Sequence, residues 1–126
     1  DEKELYRGFD AMIMPRKFGG ACLPMTEALA AGLPVIMTNV EPNNKILPKE
    51  WLVRTRPKEP LMTRTLISVD QADSHDLKNI IMKFAKRSVN EKRKDSRKAR
   101  DIAIKEYSPS SVLSKWRSVV SKVIKL

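Results

Sequence analysis

The sequence predicts an α/β fold: a parallel sheet with flanking helices and an amphipathic helix at its C-terminal end. Three observations carry the prediction. Residues 10–44 read as strand, glycine turn, helix, strand and polar loop, which is one βαβ unit. Its two strands, Ala11-Met12-Ile13-Met14 and Pro34-Val35-Ile36-Met37, lack polar alternation, as suits a parallel sheet covered on both faces. Val112, Leu113, Trp116, Val119, Val120, Val123 and Ile124 then recur at helical spacing.

Taken in order, Glu4-Leu5-Tyr6 with Phe9 reads as the end of a helix stopped by Gly8. Pro15 closes the first strand, residues 23–31 form the crossover helix, and Gly32 ends it. After Met37 comes a polar, turn-rich loop beyond the carboxyl end of the second strand. Trp51-Leu52-Val53 reads as a third strand, residues 54–65 as a proline-bearing basic loop, and Leu66-Ile67-Ser68-Val69 as a weaker strand. Ser74 is placed to cap a helix whose Leu77, Ile80, Ile81 and Phe84 face the sheet. Residues 90–107 form a charged helix with Ala99, Ile102 and Ala103 as a narrow apolar stripe, so it should lie at the domain edge. Ser108 caps the last helix and Pro109 fits its first turn. Its stripe must be buried against this domain or a neighbour, and Trp51 and Trp116 both read as core.

Composition bounds the partners. At 126 residues the chain is one domain or part of one. Residues 1–8 carry no signal-peptide pattern, and no stretch approaches the roughly 18 apolar residues of a membrane span. A single cysteine, Cys22, asks for no oxidising compartment. Cytoplasm is the expected location. The 25 Lys and Arg against 15 Asp and Glu leave a formal charge of +10. It reads first as an ordinary solvated basic surface, with Asp95, Asp101 and Glu106 interspersed among the cations of residues 83–105, and otherwise as a match for an anionic membrane surface, phosphates on a small ligand or nucleic acid. Nucleic acid is the poorest fit, because the basic stretch from residue 83 to 100 holds only Phe84 for base stacking.

The chemistry concentrates at the glycine turn. Gly19 and Gly20 let the backbone approach a ligand, and the following helix start, at Ala21 and Cys22, presents unpaired N–H groups to an anion. A tight turn without a ligand is the alternative. Arg16 and Lys17 either reach a phosphate or are ordinary surface charge. Glu27 either complements the helix dipole at the surface or, in a helix largely inside the fold, accepts hydrogen bonds from ligand hydroxyls. Cys22 reads as packing, and lone His75 as a surface or capping residue; no Ser-His-Asp or Cys-His pairing and no metal-ligand spacing can be argued.

These residues carry a family resemblance. Phe18-Gly19-Gly20-Ala21-Cys22-Leu23-Pro24-Met25-Thr26-Glu27-Ala28-Leu29-Ala30-Ala31-Gly32-Leu33-Pro34-Val35-Ile36-Met37 resembles the donor-binding segment of GT-B glycosyltransferases, in the retaining branch that carries an E-x7-E signature. Residues 5–15 resemble the helix and strand leading into that site, and the helix from Ser108 resembles the family's closing helix, which crosses back to the other domain. The resemblance implies part of a Rossmann-like C-terminal domain and transfer of a sugar, with retention, from a nucleoside-diphosphate sugar to an acceptor. It implies a diphosphate at Gly19, Gly20, Ala21 and Cys22, ribose hydroxyls at Glu27, and a donor site that takes in Arg16, Lys17, Asn43 and Asn44. No cofactor or metal is implied beyond the donor.

The chain departs from the pattern in two places. Eight residues before Glu27, where the signature has its first Glu, stands Gly19; the sugar contact is made differently, the loop is rearranged, or transfer is impaired. The resemblance also covers only the latter part of one of the family's two domains, so an N-terminal acceptor domain is expected elsewhere and the catalytic residues cannot be named. The rival expectation is a non-catalytic basic module for nucleic acid or the periphery of an anionic membrane.

Overall fold

The computed structural model describes residues 4–124. Three parallel strands form its centre, in the order β1 (Met12–Met14), β2 (Val35–Thr38) and β3 (Leu52–Val53). Met14 lies opposite Met37, and Met37 opposite Leu52. β2 runs between the other two and all four of its residues are buried, which is why its sequence shows no alternation. β1 is different. It pairs on one side only and Ile13 is 47% exposed, so the expected cover on both faces holds for β2 and not for β1.

The crossover from β1 to β2 is α1 (Leu23–Ala30), which sends Met25, Ala28 and Leu29 into the core. A long helix, α3 (Val89–Tyr107), lies along it through Ala99 and Ala103, small residues that permit close approach. Gly32 sits at that junction, at φ +78, where a Cβ would stand 2.9 Å from Ser96 Oγ. Arg100 donates to the Ala30 carbonyl, placing a cation at the negative end of α1. Trp51, Leu29, Ile36, Met37 and Val53 fill the centre. Each such side chain contributes about 1.5–3 kcal/mol by leaving water.

Residues 54–65 are not a loop. β4 (Thr55–Met62) pairs antiparallel with β5 (Leu66–Ala72) in a separate two-stranded ribbon, with Thr55 opposite Ala72 and Met62 opposite Leu66. Pro57 and Pro60 argue against a central strand, but this strand is exposed along almost its whole length. The register also slips between Lys58 and Leu61, so the prolines interrupt no buried ladder.

Next comes α2 (Ser74–Ala85), packed as its spacing predicts, with Phe84 buried and Leu77 and Ile80 against the core. Its cap is Asp73 and not Ser74. Asp73 Oδ1 accepts the backbone N–H groups of His75 and Asp76, both at 3.0 Å, and these bonds, that from Asp76 foremost, hold its carboxyl below the ordinary value. Ser88 and Glu91 cap α3 (Val89–Tyr107) reciprocally.

The last helix, α4 (Pro109–Ile124), has no buried residue. Trp116 is 63% exposed, so it is not core, whereas Trp51 is fully buried. α4 is held at its beginning, where Ser108 Oγ accepts the Ser111 N–H at 3.2 Å and Lys115 Nζ donates to Glu106 Oε2 at 2.8 Å. Its apolar stripe lies open among the described residues. At the other end, residues 4–8 form a turn that Gly8 closes at φ +81, and the body of the helix expected there lies outside the described residues. Among the described residues no helix is long and apolar enough to cross a membrane.

Candidate functional site

Parallel pairing brings the carboxyl ends of β1 and β2 to one edge of the sheet, and the loops after them meet there. Thr38, at the end of β2, joins the two. Its buried hydroxyl accepts the Arg16 N–H at 3.1 Å and donates to the Arg16 carbonyl at 2.6 Å. Arg16 in turn reaches over the turn, with Nη1 donating to the Gly20 carbonyl at 3.3 Å. Lys17 goes the other way: its carbonyl accepts the Asp70 N–H at 2.7 Å, which ties the loop to the β4–β5 ribbon.

The two glycines are required for different reasons. Gly20 has φ +141, a backbone conformation costly for any other residue, with open space around it. Gly19 has no room. A Cβ there would run into the backbone carbonyl of Glu41, so the chain leaving β2 occupies the place where the first carboxylate of the resembling signature would stand. Neither Thr38 nor Glu41 was legible as a site residue. The Glu41 side chain is exposed and pairs with Lys45 at 3.0 Å, and it is the backbone that matters at this position.

Behind the turn, α1 begins at Cys22 with no side-chain cap and no acidic residue in its first turn. The Cys22 thiol is buried 3.5 Å from Met14 Sδ and serves packing. The positive end of α1 therefore has no capping carboxylate or hydroxyl of its own. Tyr107, at the end of α3, reaches Thr26 on this helix, and burial pushes its phenol above the ordinary value against the lowering effect of that contact.

Asn43 is 1% exposed in a 3-10 turn, Asn43–Lys45, and its buried Nδ2 has no hydrogen-bond partner among the described residues. Asn44 donates Nδ2 to Asn39 Oδ1 at 3.0 Å, and its own buried Oδ1 is likewise unpartnered. An unmet buried polar atom costs about 1–3 kcal/mol, so this loop holds two that an external group could satisfy.

Glu27 is exposed, so of its two readings the surface placement holds and a carboxylate inside the fold does not. The buried face of α1 is Met25, Ala28 and Leu29, and Glu27 falls on the other side, where its Oε2 accepts the Tyr6 hydroxyl at 2.7 Å. That pairing spans 21 residues, and no local pattern announces it. His75 is exposed at the start of α2.

The family model described as glycosyl transferases group 1 matches residues 1–101, a span that takes in the sheet, the glycine turn, α1, the ribbon, α2 and most of α3. No match was found among curated proteins or among solved structures.

Proposed function

The chain belongs to the glycosyl transferases group 1 family, and from that premise we propose that residues 1–126 bind a nucleoside-diphosphate sugar at the carboxyl edge of the sheet, for transfer to an acceptor with retention. The observation that carries the reading is the uncapped start of α1 behind a glycine turn whose second glycine stands at φ +141. The diphosphate lies on the backbone of Gly19, Gly20, Ala21 and Cys22. Negative charge grows on this leaving group as the glycosyl bond breaks, and fixed N–H dipoles there stabilise it without reorganising. Arg16, already anchored to the Gly20 carbonyl, adds a guanidinium beside the phosphates, and Lys17 adds charge at the loop. Glu27, oriented by Tyr6, accepts the ribose hydroxyls. Asn43 Nδ2 and Asn44 Oδ1 find their missing partners on the ligand.

Titration of the chain with UDP and with GDP tests this. Amide signals of Gly20, Ala21 and Cys22 are expected to shift with saturating behaviour, and Gly20→Val should weaken the response by straining the turn. A folded sample in which millimolar nucleotide moves none of these signals would overturn the reading.

A further inference from the structure

We propose that α4 is a membrane-surface helix, which lays its open apolar stripe on a bilayer that carries anionic lipid. Leu113, Trp116, Val120 and Ile124 are all exposed, and the hollow along them is lined by these four with Arg117 and Ser121, residues of α4 alone. The domain itself supplies no cover for the stripe. An apolar helix face backed by a strongly polar one suits the boundary between lipid headgroups and acyl chains.

The charges decide which surface covers it. Between Pro109 and Ile124 stand three cations, Lys115, Arg117 and Lys122, and no carboxylate. Helical spacing sets them at the two borders of the stripe. Arg117 lies four residues after Leu113 and seven before Ile124, on one border, while Lys115 and Lys122 stand four before and three after Val119, on the other. The far side of the helix is serine: Ser110, Ser114, Ser118 and Ser121. Cations at such borders rest their stems on the apolar surface and hold their heads among phosphates. Lys115 pairs with Glu106 at 2.8 Å, whereas Arg117 and Lys122 have no ion pair or side-chain hydrogen bond among the described residues. A second copy of α4 would bring like charges together, and the cores of protein interfaces are poor in Lys, so charge favours an anionic lipid surface as the occupant. The helix lies on that surface and does not cross it. Its 16 residues reach about 24 Å, short of the roughly 30 Å of a hydrocarbon core.

Neither the glycine turn nor the ribbon takes part, so the donor site is tested separately. The whole chain is sedimented with vesicles of phosphatidylcholine alone and of phosphatidylcholine mixed equally with phosphatidylglycerol. Binding is expected to the mixed vesicles and should weaken as salt is raised. It should also move Trp116 emission to shorter wavelength and protect it from acrylamide. Val120→Ser should weaken binding about tenfold, and Arg117→Gln and Lys122→Gln about fivefold each. All three side chains are exposed, so these variants keep the fold. Trp116→Phe should abolish the emission shift while vesicle binding persists. Failure to bind mixed vesicles would overturn the proposal, as would equal binding to both kinds or binding that all three variants retain at parental strength. So would a concentration-dependent oligomer that stays off the vesicles, since the stripe would then belong to a second copy.

Discussion

The α-carbon of Gly19 lies against the backbone carbonyl of Glu41, and no side chain fits between them. Gly19→Ala should therefore cost about 1–3 kcal/mol in urea denaturation, the usual range for overpacking, and should move the amides of residues 41–44. Gly20→Ala should cost a similar amount for another reason. The nearest atom to its Cβ would be Arg16 Nη2 at 3.9 Å, so the loss comes from φ +141 and leaves the loop after β2 undisturbed. Gly19→Glu, which writes the missing carboxylate back into the sequence, should lose at least as much stability as Gly19→Ala.

Thr38→Val tests the join between the two loops. The substitution keeps the shape and removes the hydroxyl, leaving the Arg16 N–H without its acceptor next to a fully buried position. A loss of about 1–3 kcal/mol is expected, and unchanged stability would show that the pair contributes nothing.

Glu27 separates binding from folding. Because it is exposed, Glu27→Gln should leave the melting temperature unchanged. If the carboxylate takes ribose hydroxyls, the same change should cost about 1.5–3 kcal/mol of UDP or GDP affinity. Deoxyribose nucleotides should then distinguish poorly between parent and variant. Tyr6→Phe should give a smaller loss in the same direction, since it removes the group that orients Glu27. A variant that melts early and binds normally would make Glu27 structural.

The attachment of α4 depends on pH. The hydrogen bond from Lys115 lowers the Glu106 pKa from its ordinary 4.5, outweighing the opposite effect of desolvation. A depressed carboxylate contributes stability that is present above its unfolded pKa and is lost as pH falls through the lower folded value. Amide protection across residues 109–124, taken relative to the unstructured rate at the same pH, should therefore fall as pH drops below about 4.5. Lys115→Met should flatten that dependence.

The two tryptophans should behave as separate populations. Trp51 is fully buried and Trp116 is 63% exposed, so acrylamide should quench part of the emission readily and spare the rest. Trp116→Phe should leave only the protected part. The open stripe of α4 should also bind a hydrophobic dye, less so after Val120→Ser.

The sequence by itself determined the features whose cause is local. The apolar runs of β1 and β2, the stop at Gly32, the spacing of Leu77, Ile80 and Phe84, and the start of α4 at Ser108 and Pro109 each follow from neighbouring residues, and each is present in the fold. The family match over residues 1–101 agrees with the glycosyltransferase resemblance those same residues carry. Tertiary structure decided the rest. Two prolines made β4 read as a loop, because whether a strand tolerates proline depends on its being exposed. The stripe of α4 read as buried against this domain or a neighbour, and only the fold shows that this domain leaves it open, because periodicity reports which face is apolar and not what lies against it. Gly19 read as a gap in a signature, yet its cause is the carbonyl of Glu41. Thr38 on Arg16 and Tyr6 on Glu27 join residues about twenty positions apart. Contacts of that kind depend on where the sheet and its crossover bring distant backbone together, and residue type alone carries no record of it.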